Sequence, residues 1–157
     1  MTSSSIYEDG ERLLPPDAFT FELDAELRRA VRLRSDLTLV VLTVSSESDD
    51  DVLVQDIARV IGKRIRDTDL LGTSEPGTLT LALLDADLER STPVINRLLA
   101  RIDGERPTAA AVRIAVGAAC YPTHAVDGAS LKREAIARTI GGRPGAWPVS
   151  TLHADKA

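Results

Sequence analysis

The stretch Leu37-Thr38-Leu39-Val40-Val41-Leu42-Thr43-Val44 constrains this chain more than any other feature. It is apolar and β-branched almost without interruption, so a strand built from it needs cover on both faces. The chain must therefore supply helices on each side of a sheet. Leu23, Leu27, Ala30 and Val31 recur at helical spacing and predict a helix over Asp17–Leu33, with Asp17 as its N-cap. Leu53, Ile57, Val60 and Ile61 predict a second amphipathic helix running to about Ile65. Ser91 and Thr92 ahead of Pro93 read as the start of a third, with Ile95, Leu98, Leu99 and Ile102 on its apolar face. Asp127 caps a fourth that contains Leu131, Ala135, Ile136 and Ile140.

Two further strand regions complete the pattern. Asp69-Leu70-Leu71-Gly72 and Thr78 to Leu84 flank Glu75-Pro76-Gly77, where Pro then Gly suits a type II turn, so the segment reads as a β-hairpin. Val112 to Cys120 is another strand, with Gly117 marking a bulge or a close approach. Leu13-Leu14-Pro15-Pro16 reads as an anchoring loop. The order α-β-α-β-β-α-β-α, with a last short strand left open, implies an α+β fold: a mixed sheet flanked by helices. A length of 157 residues suits one domain. The expected divisions are a flexible N-terminus over 1–12, a domain over 13–140 and a turn-rich tail over 141–157, with Trp147 tucked against the body.

Composition narrows the function classes. The net charge is −5, which disfavours a general nucleic-acid binder. Yet 16 of the 19 cationic residues are Arg, the better residue for bidentate phosphate contacts. The single cysteine, Cys120, rules out an intramolecular disulfide and a Cys-based zinc site, and its apolar neighbours read as core. His124 and His153 fall in a loop and the tail, without partners for catalysis. No signal-like N-terminus is present, and the longest apolar run is too short to span a bilayer. The expectation is a cytoplasmic protein with no membrane contact.

The ordered set of elements resembles the GGDEF domain, the diguanylate cyclase fold of bacterial second-messenger signalling, whose core is ferredoxin-like. The helix with Phe19, Glu26, Leu27 and Arg28 is similar to the family's first helix. Leu39 to Ser45 sits where the family's first strand ends in Asp-x-Asp, and Asp51 to Ile61 resembles its next helix. Asp69 to Thr73, the turn and Leu79-Thr80-Leu81 match the signature hairpin. Val112 to Gly117 with Tyr121-Pro122 is similar to the family's Ser-Ile-Gly strand and following Tyr-Pro. Asp127 and Leu131 match a recurring Asp-x-x-x-Leu spacing. The alternative is an unrelated ferredoxin-like α+β domain.

The resemblance also shows what has been lost. The family's enzymes condense two GTP molecules into cyclic di-GMP, using divalent metal held by an acid at the strand end and an acid in the signature turn. Here the strand end carries Thr43 and Ser45, and neutral hydroxyls do not replace a carboxylate's charge. The signature turn aligns with Glu75-Pro76-Gly77-Thr78-Leu79, so Gly77 stands at the metal-binding acid. Pro76 removes a backbone donor from the phosphate cradle, and Glu75 repels a triphosphate. The loop Ser46–Asp50 is too short for the guanine-reading helix, by about nine residues. The expectation is no catalysis, no metal and no cofactor. An unrelated metal site on Glu47, Asp49, Asp50 and Asp51 competes with the plainer reading of a solvated, helix-capping loop.

Many members of the family carry a second site, an Arg-x-x-Asp five residues before the signature, that binds the product. Arg66-Asp67-Thr68-Asp69 has that spacing, and Arg97 lies where an additional Arg often completes the site. The resemblance implies that Arg66 and Arg97 bind phosphate or a guanine O6/N7 edge, and that Asp69 accepts from guanine N1 and N2. The plainer reading pairs Arg66 with Asp69 at a helix end. The leading function is a non-catalytic cyclic di-GMP receptor acting on a protein partner, with homodimerisation a reasonable addition. The alternatives are a ligand-independent interaction module and a GTP sensor at the decayed active site.

Overall fold

In the computed structural model, residues 12–46, 50–105 and 112–139 are described. Five strands and four helices follow in the order β1 (Leu13–Leu14), α1 (Pro16–Leu33), β2 (Leu37–Ser46), α2 (Asp50–Gly62), β3 (Leu70–Thr73), β4 (Thr78–Leu84), α3 (Leu88–Glu105), β5 (Val112–Tyr121) and α4 (Gly128–Ala137). The sheet order is β1-β3-β4-β2-β5. Only the β1–β3 pair is parallel; β3–β4, β4–β2 and β2–β5 are antiparallel.

The apolar strand is buried on both faces, as its composition requires. Val40, Leu42 and Val44 join the core under α2 and α3, with Ile57, Ile61, Ile95 and Leu99. Leu37, Leu39 and Val41 alternate onto the other face, under α1 and α4, with Phe19, Leu23, Leu27 and Leu131. The result is three layers, two helices on each side of one sheet. Val31 and Ile136 keep helical phase with these faces but remain exposed.

Several local expectations need correction. Pro16 is the first residue of α1 and Asp17 lies in its first turn, where a carboxylate favours the helix dipole without capping. Leu13–Leu14 is an edge strand paired with Leu71 and Gly72, not a loop. Helix α2 ends at Gly62, three residues before Ile65. Helix α3 starts at Leu88, because Asp87 Oδ1 accepts from Arg90 N at 2.8 Å and thereby caps an earlier turn. Pro93 is therefore inside the helix. The Asp127 cap is as expected, accepting from Ser130 N at 2.8 Å.

Two glycines shape the sheet. Gly77 has φ +80°, and Thr78 N donates to Glu75 O at 2.9 Å, which is the type II turn. At Gly117 the strand register runs unbroken and a Cβ would lie 1.8 Å from Ala135 O, so this is a close approach of β5 to α4 and not a bulge. No described helix is long and apolar enough to cross a membrane. The predicted N-terminal segment, apart from Arg12, and the predicted tail, with Trp147 and His153, lie outside the described residues, as does Ile140, expected in the fourth helix.

Candidate functional site

The β3–β4 hairpin carries different chemistry at its two ends. Its open end is flanked by Asp69, just before β3, and Leu84, the last residue of β4. The Asp69 side chain is buried, and both of its oxygens are occupied. Oδ1 accepts from Leu84 N at 3.1 Å and from Arg66 Nη2 at 3.1 Å. Oδ2 accepts from Arg66 N at 3.0 Å and from Arg66 Nε at 3.3 Å. Arg66 Nη2 also donates to Leu84 O. This fork fixes the plane of the guanidinium while leaving its side chain 57% exposed. Asp69 thus faces the protein and pairs with Arg66, which is the plainer of the two sequence readings, and not the one that gave its carboxylate to guanine.

The expected third residue does meet the first two. Arg66, Asp69 and Arg97 line one cavity of about 300 Å³, together with Arg90, Leu83 and Ala86. A second cavity of about 530 Å³ adjoins it and shares Arg64, Val94 and Arg97, with Arg101 beyond. Asp69 is the single carboxylate among the described residues lining either one. Five arginines thus line these two cavities, on a chain of net charge −5.

Arg90 and Arg101 were not singled out from sequence, although Arg90, Val94, Arg97 and Arg101 form one stripe at i, i+4, i+7 and i+11. Starting α3 at Pro93 hid that stripe, since it left Arg90 outside the helix. Arg12 was missed for another reason. It was assigned to a loose terminus, yet its guanidinium donates to four carbonyls across the Gly62–Asp69 segment, and no local pattern signals contacts so distant in sequence.

The closed end of the hairpin is the signature turn. Val44 N donates to Gly77 O at 2.8 Å, so the turn docks against the end of β2, and Thr43 pairs in register with Thr78. Thr43 at the strand end and Gly77 in the turn are therefore brought close, and the resemblance would put metal-binding acids at these two segments. No group of three acidic, His or Cys side chains that could hold a metal occurs among the described residues. Glu47 and Asp49 lie outside them. Beside the turn, a cavity of about 590 Å³ between α1 and α4 is lined by Asp17, Asp24, Glu75 and Asp127 against one cation, Lys132. Lys132 Nζ is held by Glu75 Oε1 at 3.2 Å and by Ser74 Oγ. The Asp127 carboxyl sits below the usual range because Ser130 N and then Ser130 Oγ hydrogen-bond to it.

No family model and no curated protein matches the sequence. Solved structures do. A diguanylate cyclase protein from Thermotoga maritima superposes with a TM-score of 0.72 at 15% identity, over 83% of this chain and 98% of that one. The chain has the GGDEF fold. Two other solved structures are similar. The coiled coil and GGDEF domain of DgcB from Caulobacter crescentus, solved in complex with c-di-GMP, has a TM-score of 0.68 at 16% identity, over 80% of this chain and 73% of that one. The diguanylate cyclase SiaD from Pseudomonas aeruginosa, solved with its activator SiaC, gives 0.72 at 22%, over 87% of this chain and 57% of that one. The GGDEF fold thus places the arginine cavity and the turn at opposite ends of one hairpin.

Outside both ends, Cys120 is buried in the core under α2 and α3, and burial pushes its thiol up. His124 serves its own loop: Cys120 N donates to its Nδ1 at 2.8 Å.

Proposed function

We propose that this chain is a non-catalytic GGDEF-fold receptor for cyclic di-GMP, which binds at the Arg66–Arg97 cavity and acts on a protein partner. The observation that carries this reading is the meeting of Arg66, Arg90 and Arg97 in one cavity. Arg66 is held by a buried carboxylate with its outer edge exposed. Guanidinium groups fixed in this way suit phosphate oxygens and the O6/N7 edge of guanine. The cavity and its neighbour fall within the roughly 300–1,000 Å³ of small-molecule sites. The DgcB structure with c-di-GMP and the SiaD structure with a protein activator support the ligand class and the partner. In this reading Asp69 orients Arg66, and a homodimer would bring two such cavities to one ligand cluster.

The turn end supports the absence of cyclase chemistry. Glycine and hydroxyls stand where metal-binding carboxylates would be needed, and four carboxylates line the adjoining cavity, which disfavours a triphosphate. A GTP sensor at that end is disfavoured for the same reason. One observation favours the second reading, a ligand-independent scaffold: Asp69 is saturated by protein donors, so the fork is complete without a ligand. Calorimetric titration with cyclic di-GMP separates the two. The receptor reading expects micromolar or tighter binding that Arg66→Ala removes; no heat and no thermal shift would leave the scaffold.

A further inference from the structure

Arg12 makes the densest set of side-chain to backbone hydrogen bonds among the described residues. Its Nη2 donates to Arg66 O at 2.6 Å and to Asp69 O at 2.8 Å. Its Nη1 donates to Ile65 O at 3.2 Å and to Gly62 O at 3.3 Å. These carbonyls belong to the segment that leaves the end of α2 and enters β3. The Gly62 carbonyl is among the last four of α2, which lack a partner within the helix. One planar fork thus closes the segment from its backbone side, while Asp69 closes it from its side-chain side. Arg12 is also the residue before β1, whose Leu13 and Leu14 pair with Leu71 and Gly72 just beyond Asp69. The segment presenting Arg66 is therefore fixed to the strand that precedes α1.

We propose that Arg12 is a positioning residue for the arginine cavity: it holds the Gly62–Asp69 segment in the shape that aims Arg66 outward, so that anion affinity is set partly at the start of β1. Arg12 does not line the cavity. For its effect on nucleotide affinity, this inference rests on the receptor reading above. Its effect on the segment does not.

A planar guanidinium reaches four carbonyls from two nitrogens, whereas an ammonium is a single point donor, so Arg12→Lys should not restore what Arg12→Ala removes. The test combines amide hydrogen exchange of the unliganded protein with cyclic di-GMP titration of wild type, Arg12→Ala, Arg12→Lys and Arg97→Ala. The expected result is faster exchange at Arg66, Asp69 and Leu84 in both Arg12 variants, with β2 and β5 unchanged. Affinity should fall about tenfold in both Arg12 variants. The dependence of affinity on salt should match wild type in the Arg12 variants and weaken in Arg97→Ala, because only Arg97 lies in the cavity. Wild-type exchange at those three amides in the Arg12 variants, or exchange raised equally throughout the sheet, would overturn the proposal. So would a salt dependence that Arg12→Ala changes as much as Arg97→Ala. If wild type binds no cyclic di-GMP, the receptor reading fails, and the exchange pattern alone decides whether Arg12 shapes the segment.

Discussion

The two ends of the β3–β4 hairpin lie about 20 Å apart along β4, and they differ in chemistry. At the closed end the backbone geometry is kept. Gly77 makes the turn, Gly77 O meets Val44 N, and Thr43 faces Thr78. The charges that would serve metal and phosphate are not there, and four acids surround the cavity beside it. At the open end a buried carboxylate, two backbone groups of Leu84 and a guanidinium interlock, and four more arginines gather around them. The difference teaches that one hairpin can carry opposite side-chain chemistry at its two ends. Shape alone assigns both ends to the GGDEF fold, but the side chains separate an end lined mostly by carboxylates from one lined mostly by arginines.

The largest expected effect breaks the open end from inside. Asp69→Ala leaves Leu84 N and three Arg66 donors without their acceptor, so urea unfolding should show a loss of about 3 kcal/mol. The same change at the closed end, Glu75→Ala, should stay within about 0.5 kcal/mol, since its pair with Lys132 is exposed. A comparable loss at both ends would erase the distinction.

Next come the ligand contacts. Arg66→Ala should weaken cyclic di-GMP binding by about 30-fold or more, in line with the loss of a bidentate contact. It should also cost about 1–3 kcal/mol of stability, because the buried Asp69 carboxylate keeps only its backbone donors Arg66 N and Leu84 N. Arg90→Ala and Arg97→Ala should each cost about tenfold in affinity and lower the salt dependence. Lys132→Ala should leave affinity unchanged; a change there would move the site to the closed end.

A smaller effect concerns pH. The Asp127 carboxyl is depressed in the folded state by its bonds to Ser130, so its stabilisation is present above the ordinary carboxylate range. It is lost as pH falls through the depressed value. The melting temperature of wild type should therefore drop more steeply on acidification than that of Asp127→Ala, while neutral-pH affinity at the arginine cavity stays the same. The smallest expected effect is a null one. Restoring acids with Ser45→Asp and Gly77→Asp together should yield no cyclic di-GMP from GTP, because the β2–α2 loop still lacks the length of a guanine-reading helix.

Much of the fold was legible because hydrophobic phase is local. The β2 pattern demanded cover on both faces, and Leu37, Leu39 and Val41 do face one helical layer while Val40, Leu42 and Val44 face the other. The Glu75-Pro76-Gly77 turn and the Asp127 cap were equally local. The start of α3 was not, because a favourable Ser-Thr-Pro signal competed with Asp87, which caps an earlier turn. That shift also concealed Arg90 as a partner of Arg97. The resemblance pointed to Arg66 and Asp69, which do meet Arg97 in one cavity, whereas Arg12 was illegible because its contacts depend on chain crossing. The direction in which the Asp69 carboxylate turns could not be read from spacing, since it depends on Leu84 at the far end of the hairpin.

The measurement that tests the central claim most directly is a calorimetric titration of cyclic di-GMP into wild type, Arg66→Ala and Lys132→Ala under identical salt. Micromolar or tighter binding that is lost in Arg66→Ala and kept in Lys132→Ala is the result predicted here. Absence of heat and of any thermal shift in wild type, or binding that survives Arg66→Ala, would contradict it.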